Sequence, residues 1–283
     1  MKKKKIHGYG LGKVDTVLSV DEIERRAAAL APSGPTPQQL DTLAGPKPMV
    51  VIDQLVAGYG KMEILHKVNL RVGRGQSLCL IGPNGAGKST ILHSIFGFSK
   101  IFSGKILVNE QDVTEKSPSE KLKNGISYVL QDNSVFPGMT VEENLWMGGF
   151  LLNKPTRAKE EVEKIFEKYG SLRERRKAKA GSLSGGERRL LEISRALIMN
   201  PDVLLIDEPS IGLEPRFIDM VFDILGDLQH NEGKTIILVE QNAKKGLEFA
   251  DLAYVLVAGN VAIAGTGKEL LKHEGVGKLF LGD

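Results

Sequence analysis

A short apolar run, Ser77 to Ile81, stops at Gly82-Pro83-Asn84-Gly85-Ala86-Gly87-Lys88-Ser89-Thr90, and a helical pattern from Ser89 to Phe98 follows directly. This passage satisfies G-x-x-x-x-G-K-[ST] in the strand-loop-helix setting that the pattern requires. The glycines let successive backbone N–H groups point inward around a chain of phosphates, and the helix N-terminus adds its positive dipole end. Lys88 is placed to reach β- and γ-phosphates, and Ser89 to ligate Mg²⁺. The alternative, a flexible glycine turn, does not explain why a strand precedes the loop and a helix follows it.

A second passage supplies the complementary half. Val203 to Ile206 is an uninterrupted apolar run of the kind buried in parallel sheets, and it delivers Asp207 and Glu208 at its end. Adjacent strand-end residues point to different sides. One carboxylate can therefore serve a metal while the other faces an attacking water. Thr235 to Val239 is another such run, Pro215 to His230 between them reads as a helix, and the unit is β-α-β. Upstream, Met49 to Val56 and Glu63 to Val72 read as strands of an antiparallel region. Residues 140–169 read as helical, with Thr140 and Thr156 as caps.

Composition narrows the function further. The 38 Lys and Arg stand against 35 Asp and Glu, too even a balance over the whole chain to argue for nucleic acid as a partner. The single cysteine, Cys79, excludes an internal disulfide framework and fits a reducing compartment. No apolar run reaches the roughly 18 residues of a membrane-spanning helix, so any membrane role is expected to come through a partner. Lys2 to Lys5 have no apolar stretch after them and read as solvated charge rather than a secretory signal. Ser19-Val20-Asp21-Glu22 has the form of a capping box leading a short helix to Ala29. Thr36, Pro37 and Gln39 suggest a second helix ending near Gly45. Prolines and glycines punctuate residues 1–48 as an extension and linker, and the domain boundary is expected near Pro48.

A phosphate loop alone leaves kinases, GTPases and many ATPases open. Leu183-Ser184-Gly185-Gly186-Glu187 narrows the choice: with the two motifs above, in this order, the chain resembles the ABC ATPase family over about residues 49–283. Ser184 and the Gly185 and Gly186 amides, at the start of a helix expected from Glu187 to Met199, make a second anion site. The resemblance implies a P-loop NTPase core of ABC type, α/β, with an antiparallel β subdomain and a helical signature subdomain. It further implies ATP and Mg²⁺, and a dimer in which each signature, Leu183 to Glu187, closes on ATP held by the other subunit. The metal set would be Ser89, Gln131 and Asp207; the catalytic set Glu208, Gln131 and Gln241; and Tyr59 would stack on adenine beside the loop Gly82 to Thr90. Ser210-Ile211-Gly212-Leu213-Glu214 matches the loop between subunits, with Glu214 where an aspartate is usual. At the switch the chain reads Val239-Glu240-Gln241-Asn242, with Gln in place of the family's histidine, so slower hydrolysis is expected.

Soluble mechanical members of the family carry two cassettes or a long coiled-coil insertion. This chain has one cassette and no heptad run. Met139 to Phe150, Val239 to Asn242 and Phe280-Leu281-Gly282 resemble ATPase subunits of prokaryotic branched-chain amino acid, urea and amide importers. That implies a histidine-bearing ATPase partner, two permease subunits, an external solute-binding protein, and a peripheral position on the cytoplasmic face of the inner membrane. A soluble non-transport ATPase and a weakly hydrolysing regulatory subunit are the alternatives. Trp146, Met147 and Phe150 are expected on one helical face, as core or as a permease groove.

Overall fold

The computed structural model describes residues 34–131 and 134–281. The capping box expected at Ser19 lies outside them. Two sheets organise the chain. The first is antiparallel, with strands β1 (Pro48–Tyr59), β2 (Met62–Gly73), β4 (Lys100–Val108) and β5 (Gln111–Asp112) in the order β2-β1-β4-β5. The second contains β3 (Ser77–Ile81), β6 (Ile126–Val129), β7 (Val203–Asp207), β8 (Thr235–Val239), β9 (Leu252–Val257) and β10 (Asn260–Thr266), in the order β10-β9-β3-β8-β7-β6. Its strands β9, β3, β8, β7 and β6 are parallel, and β10 closes the edge antiparallel to β9.

The period of two along these strands divides the core in two. Leu78, Leu80, Val203, Leu205, Ile237 and Val239 face the antiparallel sheet and the helix α2 (Lys88–Phe96), whereas Cys79, Ile81, Leu204, Ile206, Ile236 and Leu238 face the helical side. Both faces are covered, which is why the runs read from sequence show no polar alternation. All the phosphate-facing strands end at the same edge of the sheet, as parallel strands must.

The helix expected after Thr36 forms as α1 (Pro37–Ala44), with Thr36 and Gln39 completing a capping box. It is no free linker. Leu40 is fully buried, Asp41 pairs with Arg71 of β2 at 3.0 Å, and Gln76 Nε2 donates to the Leu43 carbonyl at 3.2 Å. The packed unit therefore begins before Pro48.

The helical region departs from expectation in two places, and the smaller is the signature helix, which runs Gly185–Leu197 rather than Glu187 to Met199. The stretch 140–169 splits into α4 (Val141–Gly148), capped by Thr140 and Glu143, and α5 (Pro155–Lys168), whose N-cap is Lys154 rather than Thr156. Pro155 sets that start, because its missing N–H costs nothing at the first helical position. At Gly148 a Cβ would meet the Arg195 carbonyl oxygen at 2.4 Å, so α4 lies hard against α7 (Gly185–Leu197). Between α5 and α7 runs α6 (Gly170–Glu174), and α8 (Pro215–His230) covers the helical side of β7 and β8.

Candidate active site

Gly82 follows β3 with φ +150°, and a Cβ there would meet the Leu256 carbonyl oxygen of β9 at 2.3 Å. Only glycine lets the loop leave so close to the neighbouring strand. The loop then curls around Lys88, which is 6% exposed and donates to the Gly82 carbonyl at 2.9 Å and the Pro83 carbonyl at 3.1 Å. Burial lowers the Lys88 pKa, and the nearby carboxylates of Glu208 and Asp207 oppose that shift.

Asp207 is the last residue of β7, and Ser89 Oγ donates to its Oδ1 at 3.1 Å. Its Oδ2 accepts from the Tyr128 hydroxyl at 3.0 Å. Burial and the Asp207 charge both push the Tyr128 pKa up, so the phenol stays a donor. Glu208 leaves the strand in the left-handed region, φ +44°, while its N–H donates to the Val239 carbonyl of β8 at 2.9 Å. A non-glycine residue there stores backbone strain of the order of 1–3 kcal/mol and is commonly found at functional sites. The turn separates the two carboxylates: Glu208 Oε2 accepts from Gln131 Nε2 at 2.8 Å, away from Ser89.

Tyr59, Asn84, Gly85, Gly87, Lys88, Ser89, Thr90, Gln131, Glu208 and Gln241 line one cleft of about 420 Å³, with Ile64 beside them. These residues come from six separated segments of sequence. Gly82, Pro83 and Ala86 belong to the same loop but do not line the cleft; Ala86 is buried, and its carbonyl accepts from Gly259 N at 3.0 Å. The Tyr59 ring, 43% exposed, hydrogen-bonds His93 Nδ1 through its hydroxyl at 2.5 Å.

The signature stands apart from this cleft: none of Leu183 to Glu187 lines it. Ser184 caps α7, with Glu187 N donating to Ser184 Oγ at 3.3 Å and Ser184 N to Glu187 Oε2 at 2.9 Å. Glu187 is thereby occupied in the cap and in a 3.4 Å contact with Arg175, and Leu183, 5% exposed, packs into the helical core. Ser184 and Gly185 are exposed at the helix N-terminus. Gly186 is forced by packing: a Cβ would fall 2.2 Å from Phe217 Cδ1.

A family model described as ABC transporter matches residues 65–211, which takes in the phosphate loop, the signature and Asp207 with Glu208. The chain belongs to the ABC transporter ATPases. It is 41% identical over 229 residues to a probable branched-chain amino acid transport ATP-binding protein, LivF, of Archaeoglobus fulgidus, covering 81% of this chain and 97% of that one. It is likewise 41% identical over 234 residues to the high-affinity branched-chain amino acid transport ATP-binding protein BraG of Pseudomonas aeruginosa, covering 83% and 100%. Among solved structures, the ADP conformation of an ATP-binding cassette of an ABC transporter matches with TM-score 0.74 and 30% identity, over 84% of this chain and 100% of that one.

In this ABC ATPase, Tyr128 and His93 are site residues that sequence reasoning missed. Tyr128 sits in β6, and its contact with Asp207 depends on β6 pairing with β7. Changing Tyr128 to Phe is expected to lower ATP turnover about tenfold at saturating nucleotide, in line with losing a hydrogen bond to a charged group. Nucleotide affinity, followed by a fluorescent analogue, should move by less than about twofold. Equal losses in both would show that Tyr128 shapes the cleft rather than Asp207.

Proposed function

We propose that this chain hydrolyses Mg·ATP as one half of a cassette dimer and drives uptake of branched-chain amino acids, urea or short amides. The convergence of Ser89, Asp207, Gln131 and Glu208 at one edge of the sheet carries the catalytic part of this reading. The hydroxyl, carboxylate and amide oxygens of Ser89, Asp207 and Gln131 are hard donors of the kind Mg²⁺ selects, and no sulfur or imidazole stands among them. When bound, the cation neutralises charge developing on the phosphates.

The chain's own residues do the rest. Tyr59 stacks on the base, the loop amides from Asn84 to Ser89 and the Lys88 ammonium hold the phosphates, and Glu208 orients a water and takes its proton. Gln241, at the lip of the cleft, hydrogen-bonds the γ-phosphate but cannot carry a proton or a charge. Ser184 with the Gly185 and Gly186 amides acts on the partner's ATP. Similarity to the branched-chain amino acid transport proteins of A. fulgidus and P. aeruginosa supports branched-chain amino acids among these solutes. Coverage of nearly their whole length supports a single-cassette subunit.

Among the described residues no helix is long and apolar enough to cross a membrane. In this reading the chain is a peripheral subunit docked on permeases at the cytoplasmic face. Met147, Phe136, Leu130 and Met199 line a groove that ends one residue from Gln131, a position suited to carrying permease movement to the cleft. Trp146 and Phe150 instead turn into a different apolar cleft with Leu152 and Pro155, so the three residues do not share one groove.

The reading is tested by co-expressing the chain with two permeases and a histidine-bearing cassette, and then adding solute-binding protein. Expected are co-purification from membranes and ATPase activity raised by solute-loaded binding protein. Activity indifferent to permeases and binding protein would refute the transport role. In the same assembly, Gln241→His is expected to preserve or raise turnover, and a complete loss would argue against the switch assignment.

A further inference from the structure

Arg189 lies on α7, two residues after the signature, and its side chain is 6% exposed. Three of its hydrogen bonds go to backbone carbonyls outside its own helix: Nη1 to Leu130 at 3.1 Å, and Nη2 to Gln131 at 3.2 Å and to Glu208 at 3.4 Å. The same guanidinium pairs with Glu192, also 6% exposed, at 2.8 Å. Burial raises the Glu192 pKa and the Arg189 charge opposes the shift, so the carboxylate and guanidinium support each other away from water. A buried ion pair is rarely the most stable filling for such a space, since apolar residues of similar volume often do as well or better. Its use here lies in what the fork reaches. A planar guanidinium offers five donors in fixed geometry, and these three carbonyls belong to the segments that carry the two hydrogen-bonded cleft residues, Gln131 and Glu208.

We propose that Arg189 is a positioning residue: it fixes the Gln131–Glu208 pair to the signature helix, so that closure of this chain's signature on the partner's ATP sets the geometry of its own hydrolytic site. Glu192 holds the guanidinium in place. The left-handed turn at Glu208 makes such a tie effective, because a strained segment keeps its conformation only where its surroundings enforce it. The inference rests on the roles proposed above for Glu208 and Gln131.

The test uses the full-length chain and three measurements: turnover, KM for ATP and thermal midpoint. Arg189→Lys keeps a cation beside Glu192 but replaces the fork by a single ammonium that cannot span three carbonyls. Its kcat is expected to fall about tenfold or more, as small misplacements of reacting groups do, with KM within about twofold and the midpoint within a few degrees. The doubly changed Arg189→Glu, Glu192→Arg chain restores opposite charges without donors toward the carbonyls, and its kcat is expected to stay low. Parent-like kcat in either variant would overturn the proposal, as would a fall in kcat of the lysine variant matched by equal changes in KM and midpoint. Glu208→Gln in parallel separates the two levels: if it leaves turnover intact, the catalytic reading fails; if it abolishes turnover while Arg189→Lys does nothing, only the positioning role fails.

Discussion

Glu208→Gln is expected to lower ATP turnover by about 10²–10⁴-fold, the range lost when a positioned general base is removed. The substitution keeps the side-chain length and leaves the 2.8 Å contact with Gln131 available to the new amide's oxygen. Nucleotide affinity should therefore hold, and the cassette dimer should persist with ATP trapped, visible as a stable dimer by size-exclusion chromatography. Turnover equal to the parent's would remove Glu208 from the chemistry and leave its left-handed φ without a functional reason.

Lys88→Ala should act at the earlier step. The ammonium is the main cation among the cleft-lining side chains, and hydrogen bonds to charged groups contribute about 1.5–3 kcal/mol each, or roughly 10–150-fold in affinity. ATP affinity by calorimetry is expected to fall within that range and turnover further still, because one of the groups that oppose charge developing on the γ-phosphate is then missing. Lys88 also donates to the Gly82 and Pro83 carbonyls, so a fall in thermal midpoint is expected without ligand. A variant that binds ATP as tightly as the parent would exclude Lys88 from the phosphates.

The sequence made much of this site legible because its chemistry is local. The loop Gly82 to Thr90 is contiguous, Asp207 and Glu208 are neighbours, and the signature caps its own helix. Apolar runs with no polar alternation placed β3, β7 and β8 within a residue of their observed ends, since strands covered on both faces leave no other pattern. What stayed hidden depends on pairing between distant segments. Tyr128 reaches Asp207 only because β6 lies beside β7, and Arg189 reaches three carbonyls only because α7 packs behind both loops. The burial of α1 on β2 was illegible for a related reason. Its cap was plain in Thr36, Pro37 and Gln39, but nothing in those residues shows that Leu40 meets a strand edge rather than solvent. The end of α4 at Gly148 reflects a close approach to Arg195 that spacing within one helix cannot reveal.

The strand order carries a consequence for synthesis. The strand that launches the phosphate loop, β3, has as its two neighbours β8 and β9, at residues 235–239 and 252–257. At about 5–20 residues per second, the ribosome needs roughly ten to thirty seconds after finishing β3 before both neighbours exist. Until Val239 is made, an apolar strand with both edges open is present on the nascent chain, and one edge stays open until Val257, which makes it a natural client for a chaperone. A chain released before Val257 can hold every residue of the phosphate loop, both strand-end carboxylates and the signature, and still lack the strand that braces Gly82.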